Sequence, residues 1–297
     1  MGAQLRIVRR RIRSVQSTKK ITRAMELIAS SRIVKAQQRV ESSRPYAIQL
    51  TKAMEDLARQ TGSVQHPLLD DRENPSSAGI LVVTSDRGLA GAYNANVLKI
   101  AERLLRQVRE RGLEPVLYVV GKKGIGYFRF RGVPMHTSWQ GFSEVPPYEE
   151  AERIGRRLIR DFADEEIDEL HAAYTDFRSA FTLRATAKRF LPIAPEEVTG
   201  TGLGVVHPEY LFEPEPERIL DHLLPQYLVT KVYAGLLESA ASENAARRRA
   251  MKAATDNAED LIKVLTRQAN RARQDEITTE IMEIVGGAES LGAAAEG

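Results

Sequence analysis

Gln4-Leu-Arg-Ile-Val-Arg-Arg-Arg-Ile-Arg-Ser-Val15 opens the chain with apolar residues at Leu5, Val8, Ile12 and Val15. Spacings of three, four and three put all four on one face of an α-helix, the a/d seam that closes against a second helix. The stripe is read on through Ile21, Met25 and Ile28. Ala24, Ala29, Ser30, Ser31 and Ala36 sit beside it as small residues that let another backbone approach. From Gln4 to Gln60 this makes a rod of about 80 Å at 1.5 Å per residue, far longer than a globular core requires. Pro45 is expected to bend or interrupt it, because it cannot donate the interior hydrogen bond.

The other end of the chain repeats the pattern, from about Glu217 to Val285. Pro214 and Pro216 precede this helix, where the first turn tolerates proline, and Pro225 is a further break point. Met251, Ala254, Ala258, Leu261 and Leu265 are read as its seam. Ile277, Ile281 and Ile284 resume that seam after a slip near Arg273, of the kind that changes local winding. Gly286 and Gly287 are expected to end the helix, leaving 288–297 as a disordered tail. Two such helices flanking a compact middle must return past each other antiparallel. The closing one, roughly 100 Å if unbroken, is the longer, so one of its ends projects alone.

Between them, residues 62–77 are polar and rich in breakers, a linker. Gly79-Ile-Leu-Val-Val-Thr84 reads as a buried strand, followed by a helix from about Ala92 to Arg111. Pro115–Val120 is a second strand, with a short helix near Lys122–Arg131 and another at about Tyr148–Asp164. Glu169–Tyr174 and Leu183–Phe190 are further strands, and Val205–Phe212 a last short one. Strand and helix alternating at these spacings predict a mostly parallel sheet covered by helices. The expected fold is therefore α/β: a long antiparallel two-helix coiled coil from the N- and C-terminal helices plus a central Rossmann-like α/β domain. Its divisions are 1–61 and 214–287 for the paired helices, 78–213 for the α/β domain and 288–297 for the tail.

Composition narrows the function. The chain is 42% hydrophobic and 28% charged, as soluble globular and helical proteins are. No stretch approaches the roughly 18 to 20 apolar residues that span a bilayer. Cysteine is absent, which removes disulfide and thiolate chemistry and fits a cytosolic setting. The net charge is only +3, yet eight basic residues from Arg6 to Arg23 precede the first acid, Glu26. Such a start serves organelle targeting, anionic lipid, nucleic acid or an acidic protein partner. The helical pattern runs on without the change of texture that follows a transit peptide, and nucleic-acid binders add aromatic platforms. An acidic protein partner leads, ahead of a merely solvated basic face, with lipid or nucleic acid behind.

Three glycine turns are candidate phosphate loops. Asp86-Arg-Gly-Leu-Ala-Gly91 follows a strand and opens a helix, the setting for an anion at a helix N-terminus. It lacks the G-x-x-x-x-G-K-[ST] pattern, and Asp86 would repel a phosphate. Gly121-Lys-Lys-Gly-Ile-Gly126 reverses the dinucleotide spacing. Gly200-Thr-Gly-Leu-Gly204 fails at Val205 and sits between prolines. The histidines His66, His136, His171, His207 and His222 have no ligand-pair spacing, and there is no G-x-S-x-G elbow. No catalytic residue, metal ligand or cofactor site is expected.

Four stretches together carry a resemblance. Ile21-Thr-Arg-Ala-Met-Glu-Leu-Ile-Ala-Ser-Ser31, Ser85-Asp-Arg-Gly-Leu-Ala-Gly-Ala-Tyr-Asn94, Met251-Lys-Ala-Ala-Thr-Asp-Asn257 and Ile277-Thr-Thr-Glu-Ile-Met-Glu-Ile-Val-Gly-Gly287 resemble the gamma subunit of F-type ATP synthase, end to end and in the family's order. The texture of Leu224-Pro-Gln-Tyr227 points to a bacterial member. The resemblance implies a non-catalytic central rotor shaft, one copy per complex, inside a ring of alpha and beta subunits. Its foot meets the epsilon subunit and the membrane ring of c subunits. It implies a place at the cytoplasmic face of the bacterial membrane, held there only through the c-ring, with proton flow driving rotation. Arg23, Met25, Arg247, Gln274 and Thr278 match the family's contacts to beta. Asp86, Arg87, Gly88, Leu89, Ala90 and Gly91 match the surface facing epsilon and the c-ring, with Ala90 where many relatives have cysteine. Beside these roles, Met25 also reads as a seam residue and Arg247 as a solvated charge. The remaining readings are a nucleotide-binding α/β enzyme and a basic coiled-coil adaptor for anionic lipid or nucleic acid.

Overall fold

The computed structural model describes residues 2–61, 66–177, 179, 182–194 and 216–295. They form two compact units, one joining Met1–Ile28 to Arg248–Gly297 and the other comprising Ala29–Arg247. The boundary falls inside two long helices, α1 (Gly2–Thr61) and α5 (Pro216–Ala295). Pro45 does not interrupt α1, and Pro225 does not interrupt α5. Each removes only its own donor from a ladder of many.

In the terminal unit the two helices pair antiparallel. Thr22 Oγ1 lies 2.8 Å from Thr255 Oγ1, and Lys19 Nζ 3.0 Å from Glu259. A step back of three on α1 is thus a step forward of four on α5. The inward residues of α1 are Leu5, Val8, Ile12, Val15, Lys19, Thr22 and Glu26; those of α5 are Met251, Thr255, Ala258, Ile262, Leu265, Ala269 and Ala272. Both series keep alternating spacings of three and four.

This departs from the expected seam after Val15. Ile21 and Ile28 are exposed, and Thr22 and Glu26 take the buried places. On α5, Thr255 and Ile262 hold the seam instead of Ala254 and Leu261, and Leu261 is 42% exposed. The register runs past Arg273 without a slip. Ile277, Ile281 and Ile284 are exposed; in this register no described residue of α1 lies opposite α5 beyond about residue 275. Nor does α5 stop at Gly286 and Gly287; it continues to Ala295, through most of the expected tail. A glycine inside a helix costs about 1 kcal/mol relative to alanine, a penalty rather than a stop.

The second unit is an α/β sandwich. Strands β1 (Ser77–Val83), β2 (Glu114–Val120), β3 (Thr137–Trp139), β4 (Glu169–Phe177) and β5 (Leu183–Leu191) form one sheet ordered β3-β2-β1-β4-β5. The first four are parallel and β5 runs antiparallel to β4. Alternate residues of β1 face opposite layers. Ala78, Ile80 and Val82 pack with α2 (Tyr93–Glu110) and α3 (Lys122–Phe130). Leu81 and Val83 pack with α4 (Tyr148–Ala163), with Met54 and Leu57 of α1, and with Leu220 to Leu236 of α5. Gly155 lets α5 approach α4, since a Cβ there would stand 2.7 Å from Val229 Cγ2. Strand β3 has no counterpart in the sequence reading. The expected strand Val205–Phe212 and the glycine loop 199–204 lie outside the described residues. Among the described residues no helix is long and apolar enough to cross a membrane.

Candidate functional site

The lysine-glycine turn after β2 is built for packing. A Cβ on Gly121, whose φ is +96°, would stand 2.2 Å from Thr84 O, and one on Gly124 would stand 2.8 Å from Thr84 Oγ1. Gly124 N donates to Thr84 Oγ1 at 2.9 Å, and Lys122 N donates to Asp86 Oδ1 at 3.1 Å. The amides at the start of α3 are therefore taken by the end of β1 and by a carboxylate.

The fold does gather one cluster that the scattered histidines concealed. His136, Asp161 and Glu166 bring one ligand atom each within 4.8 Å of one another. Arg157 already sits among them, with Nη2 2.7 Å from His136 Nε2 and Nε donating to Asp161 Oδ2 at 2.9 Å. Tyr118 also donates its hydroxyl to Asp161 at 2.7 Å. A guanidinium neutralising the buried carboxylate makes this donor set an ion-pair network, unsuited to a cation.

The turn Asp86 to Gly91 is held by hydrogen bonds to the loop before α4. Asp86 Oδ2 accepts from Gly141 N at 2.8 Å and Ser143 N at 3.0 Å, while Asp86 N donates to Ser143 Oγ. Ser85 Oγ donates to Arg87 O at 2.6 Å. Leu89 takes a left-handed φ of +61° and leaves its side chain exposed. Ala90 is turned inward with Tyr93 and Ala246. Of the six turn residues singled out by resemblance, Arg87, Leu89 and Gly91 face solvent, Asp86 and Gly88 are half-buried and Ala90 is buried.

Arg247 is not a solvated charge. It is 5% exposed, donates to Glu243 Oε1 at 2.6 Å and to Gly88 O at 3.4 Å, and lies 3.5 Å from Glu144. Glu144 also meets Arg87 at 3.5 Å and pairs with Arg32. Burial raises the Glu243 carboxyl above its ordinary pKa, and Arg247 opposes that rise. Arg247 and Glu144 thus brace the turn from α5 and from the loop before α4. The Glu243 pair is an i,i+4 contact within α5, but no spacing along the chain announces the contacts to Gly88 and Glu144, which are far from Arg247 in sequence.

The remaining candidates belong to the terminal unit. Arg23 projects from α1 and pairs with Glu26 at 2.8 Å, and Met25 is half-buried beside the seam. Gln274 and Thr278 stand one turn apart on exposed α5, where Thr278 Oγ1 donates to Gln274 O at 2.9 Å. Thr255 faces Thr22, so Gln274 lies about 30 Å further along α5 than the level of Arg23. The five residues are thus two separate patches on the terminal pair, plus a buried arginine in the α/β unit.

Comparison with known proteins follows the whole chain. A family profile described as ATP synthase matches residues 4–291. The ATP synthase gamma chain of Acidothermus cellulolyticus is 56% identical over 295 residues, covering 98% of both chains. That of Thermobifida fusca is 53% identical over 304 residues, covering 100% of this chain and 99% of its own. Among solved structures, a chain of the Euglena gracilis mitochondrial ATP synthase OSCP/F1/c-ring assembly in rotational state 3 aligns with a TM-score of 0.68 at 16% identity. It covers 100% of this chain and is itself covered to 97%. A chain of the Tetrahymena thermophila mitochondrial central stalk and c-ring aligns at 0.58 and 22% identity, over 79% of this chain and 99% of that one. At these identities the structures speak to the fold.

Proposed function

Because the chain belongs to the ATP synthase gamma chain family, we propose that it is the central-stalk rotor of a bacterial F-type ATP synthase. It carries torque between a proton-driven c-ring and the catalytic alpha and beta subunits, and performs no chemistry itself. The observation that carries this reading is the exposed end of α5. Ile277, Ile281, Met282, Ile284 and Val285 are all 45% or more exposed, on a stretch of α5 with no described residue of α1 opposite it. An apolar helix surface of this kind asks for a covering from another protein. A ring of beta subunits closing around it supplies one.

In this mechanism the terminal pair acts through contacts that differ between states of its partners. Arg23, Met25, Gln274 and Thr278 bear on beta. Asp86 to Gly91 face epsilon and the c-ring, with Arg87 and Leu89 making the contact and Arg247 holding the turn rigid behind them. One copy serves each complex, at the cytoplasmic face of the membrane and attached only through the c-ring.

The test is purification of the native complex through an affinity tag on this chain. Recovery of alpha, beta, epsilon and c subunits with one copy of the chain, and ATP-driven rotation of a bead fixed to it, is the expected result. Recovery of the chain alone from membranes that hydrolyse ATP overturns the reading.

A further inference from the structure

Strand β3 ends the sheet on its side and is three residues long; no described residue pairs with its outer edge. Beside it, α4 presents Arg153, Arg156, Arg157 and Arg160 at spacings of three, one and three, a single helical face. Between strand and helix runs a groove of about 330 Å³, lined by those arginines with Thr137 and Trp139. We propose that this groove receives an extended, acidic segment of another protein, laid along the open edge of β3 with its carboxylates on the α4 arginines.

The charges are free to change partners. Arg160 has no ion-pair partner among the described residues. Arg153 and Arg156 pair only with Glu150 and Glu152 of their own helix, and both arginines are well exposed. Pairs of that kind hold weakly and exchange readily for a better-placed carboxylate. Arg157 differs, being fixed on buried Asp161 at 2.8 Å, and forms part of the wall. Guanidinium groups favour bidentate carboxylate partners.

The dimensions agree. From Arg153 to Arg160 the helix rises about 10 Å, which is also the length of about three residues of extended chain. That equals the length of β3. An open strand edge offers both N–H and C=O groups, which a peptide backbone uses fully and a phosphate cannot. Trp139, stacked on Tyr118 at 6.4 Å between ring centroids, gives the groove a rigid floor.

The proposal rests on the rotor reading only in drawing its partner from the assembled complex. Amide hydrogen exchange of residues 133–140 is to be measured in the full-length chain alone and in the purified complex. Val133 and His136 already donate to Phe128 O and Leu117 O. The readout is therefore the amides of this segment that are unbonded in the free chain, which are expected to exchange fast there and to slow by about tenfold or more in the complex. The R153E/R160E complex is expected to lose that protection, while α2 exchanges as before in both. Equal exchange in chain and complex overturns the proposal, as does protection already present in the free chain, which means the chain covers its own edge. Protection that survives the double charge reversal overturns the role of the arginines. Tripolyphosphate binding at α4, with residues 133–140 unprotected in the complex, makes the groove an anion site and also overturns it. A chain that joins no complex sinks the rotor reading first; exchange of the free chain with a saturating deca-glutamate peptide then decides the groove, protection supporting it and no protection overturning it.

Discussion

Thr22 Oγ1 and Thr255 Oγ1 meet 2.8 Å apart inside the seam of the terminal helices, both buried. Each hydroxyl also lies over a carbonyl of its own helix, Thr22 on Lys19 O at 3.1 Å and Thr255 on Met251 O at 2.8 Å. Among Met251, Ala258 and Leu265 the two hydroxyls meet in one register only; a slipped register keeps each hydroxyl's bond to its own helix but sets it against an apolar side chain. The pair therefore selects alignment as well as adding stability.

Replacing one member leaves the other facing a methyl group. Thr22→Val or Thr255→Val should each cost about 1 kcal/mol in urea unfolding of the full chain. The Thr22→Val/Thr255→Val double variant should cost less than the sum, because an apolar pair of the same shape leaves nothing unsatisfied. Additive losses in the double-mutant cycle would show that the two hydroxyls do not interact.

Leu265 and Leu261 should part company. Leu265 is 3% exposed and Leu261 is 42% exposed. Leu265→Ala is expected to lose about 2 to 4 kcal/mol of stability, and Leu261→Ala less than about 1 kcal/mol. Thermal unfolding followed by far-UV circular dichroism measures both; equal losses would return Leu261 to the seam.

That contrast marks how far the sequence was legible. The two long helices, their antiparallel return and the places of β1, β2, β4 and β5 follow from periodicity and breakers. The seam was legible only where its residues are apolar. After Val15 it passes through Lys19, Thr22 and Glu26, whereas hydrophobicity alone pointed to Ile21 and Ile28, which lie on the outer face. Ile277 to Ile284 carry seam-like spacing, yet no described residue of α1 stands opposite them. Strand β3 is too short to show an alternation. The Arg247 brace joins Arg32, Gly88, Glu144 and Glu243, and the groove joins β3 to α4. The Glu243–Arg247 pair and the α4 arginines are local, but tertiary folding alone sets Arg247 against Gly88 and Glu144 and lays α4 beside β3.

The lysine-glycine turn supplies a test of packing against ligand binding. Gly121→Ala places a methyl group 2.2 Å from Thr84 O at a left-handed φ, and should cost at least about 2 kcal/mol. Gly126→Ala meets nothing within 4 Å and should stabilise α3 by about 0.5 to 1 kcal/mol. Denaturant midpoints decide the matter; a neutral Gly121→Ala would mean the turn is not held by Thr84.

Stability should fall across neutral pH. Burial first, and then the neighbouring Asp176, lift the Glu238 carboxyl to about 7 from its ordinary 4.5, while Lys188 and Arg44 oppose the rise. The native state holds this proton more tightly than the unfolded chain does. The resulting stabilisation is complete below about pH 4.5 and is lost as pH rises through about 7, on the order of 2 kcal/mol in all. Glu238→Gln should remove that slope, leaving the variant more stable than the parent above pH 7. Chemical denaturation between pH 5 and 8 that shows the same slope in both would assign the titration to another group.

Glu243 makes Arg247 a structural residue whatever else it touches. Glu243 is 1% exposed and Arg247 5%, and the 2.6 Å contact between them is the shortest that either makes among their described hydrogen bonds. Arg247→Ala strands the carboxylate, and breaking a buried pair from one side costs about 3 kcal/mol or more. Glu243→Gln/Arg247→Ala removes both charges and should recover much of that loss. Leu89 and Arg87 should move with the brace, so trypsin should cut at Arg87 faster in the single variant than in the double. If Arg247 served only a contact to another subunit, the isolated Arg247→Ala chain would keep its unfolding midpoint and its resistance to trypsin, and only the assembled enzyme would lose activity.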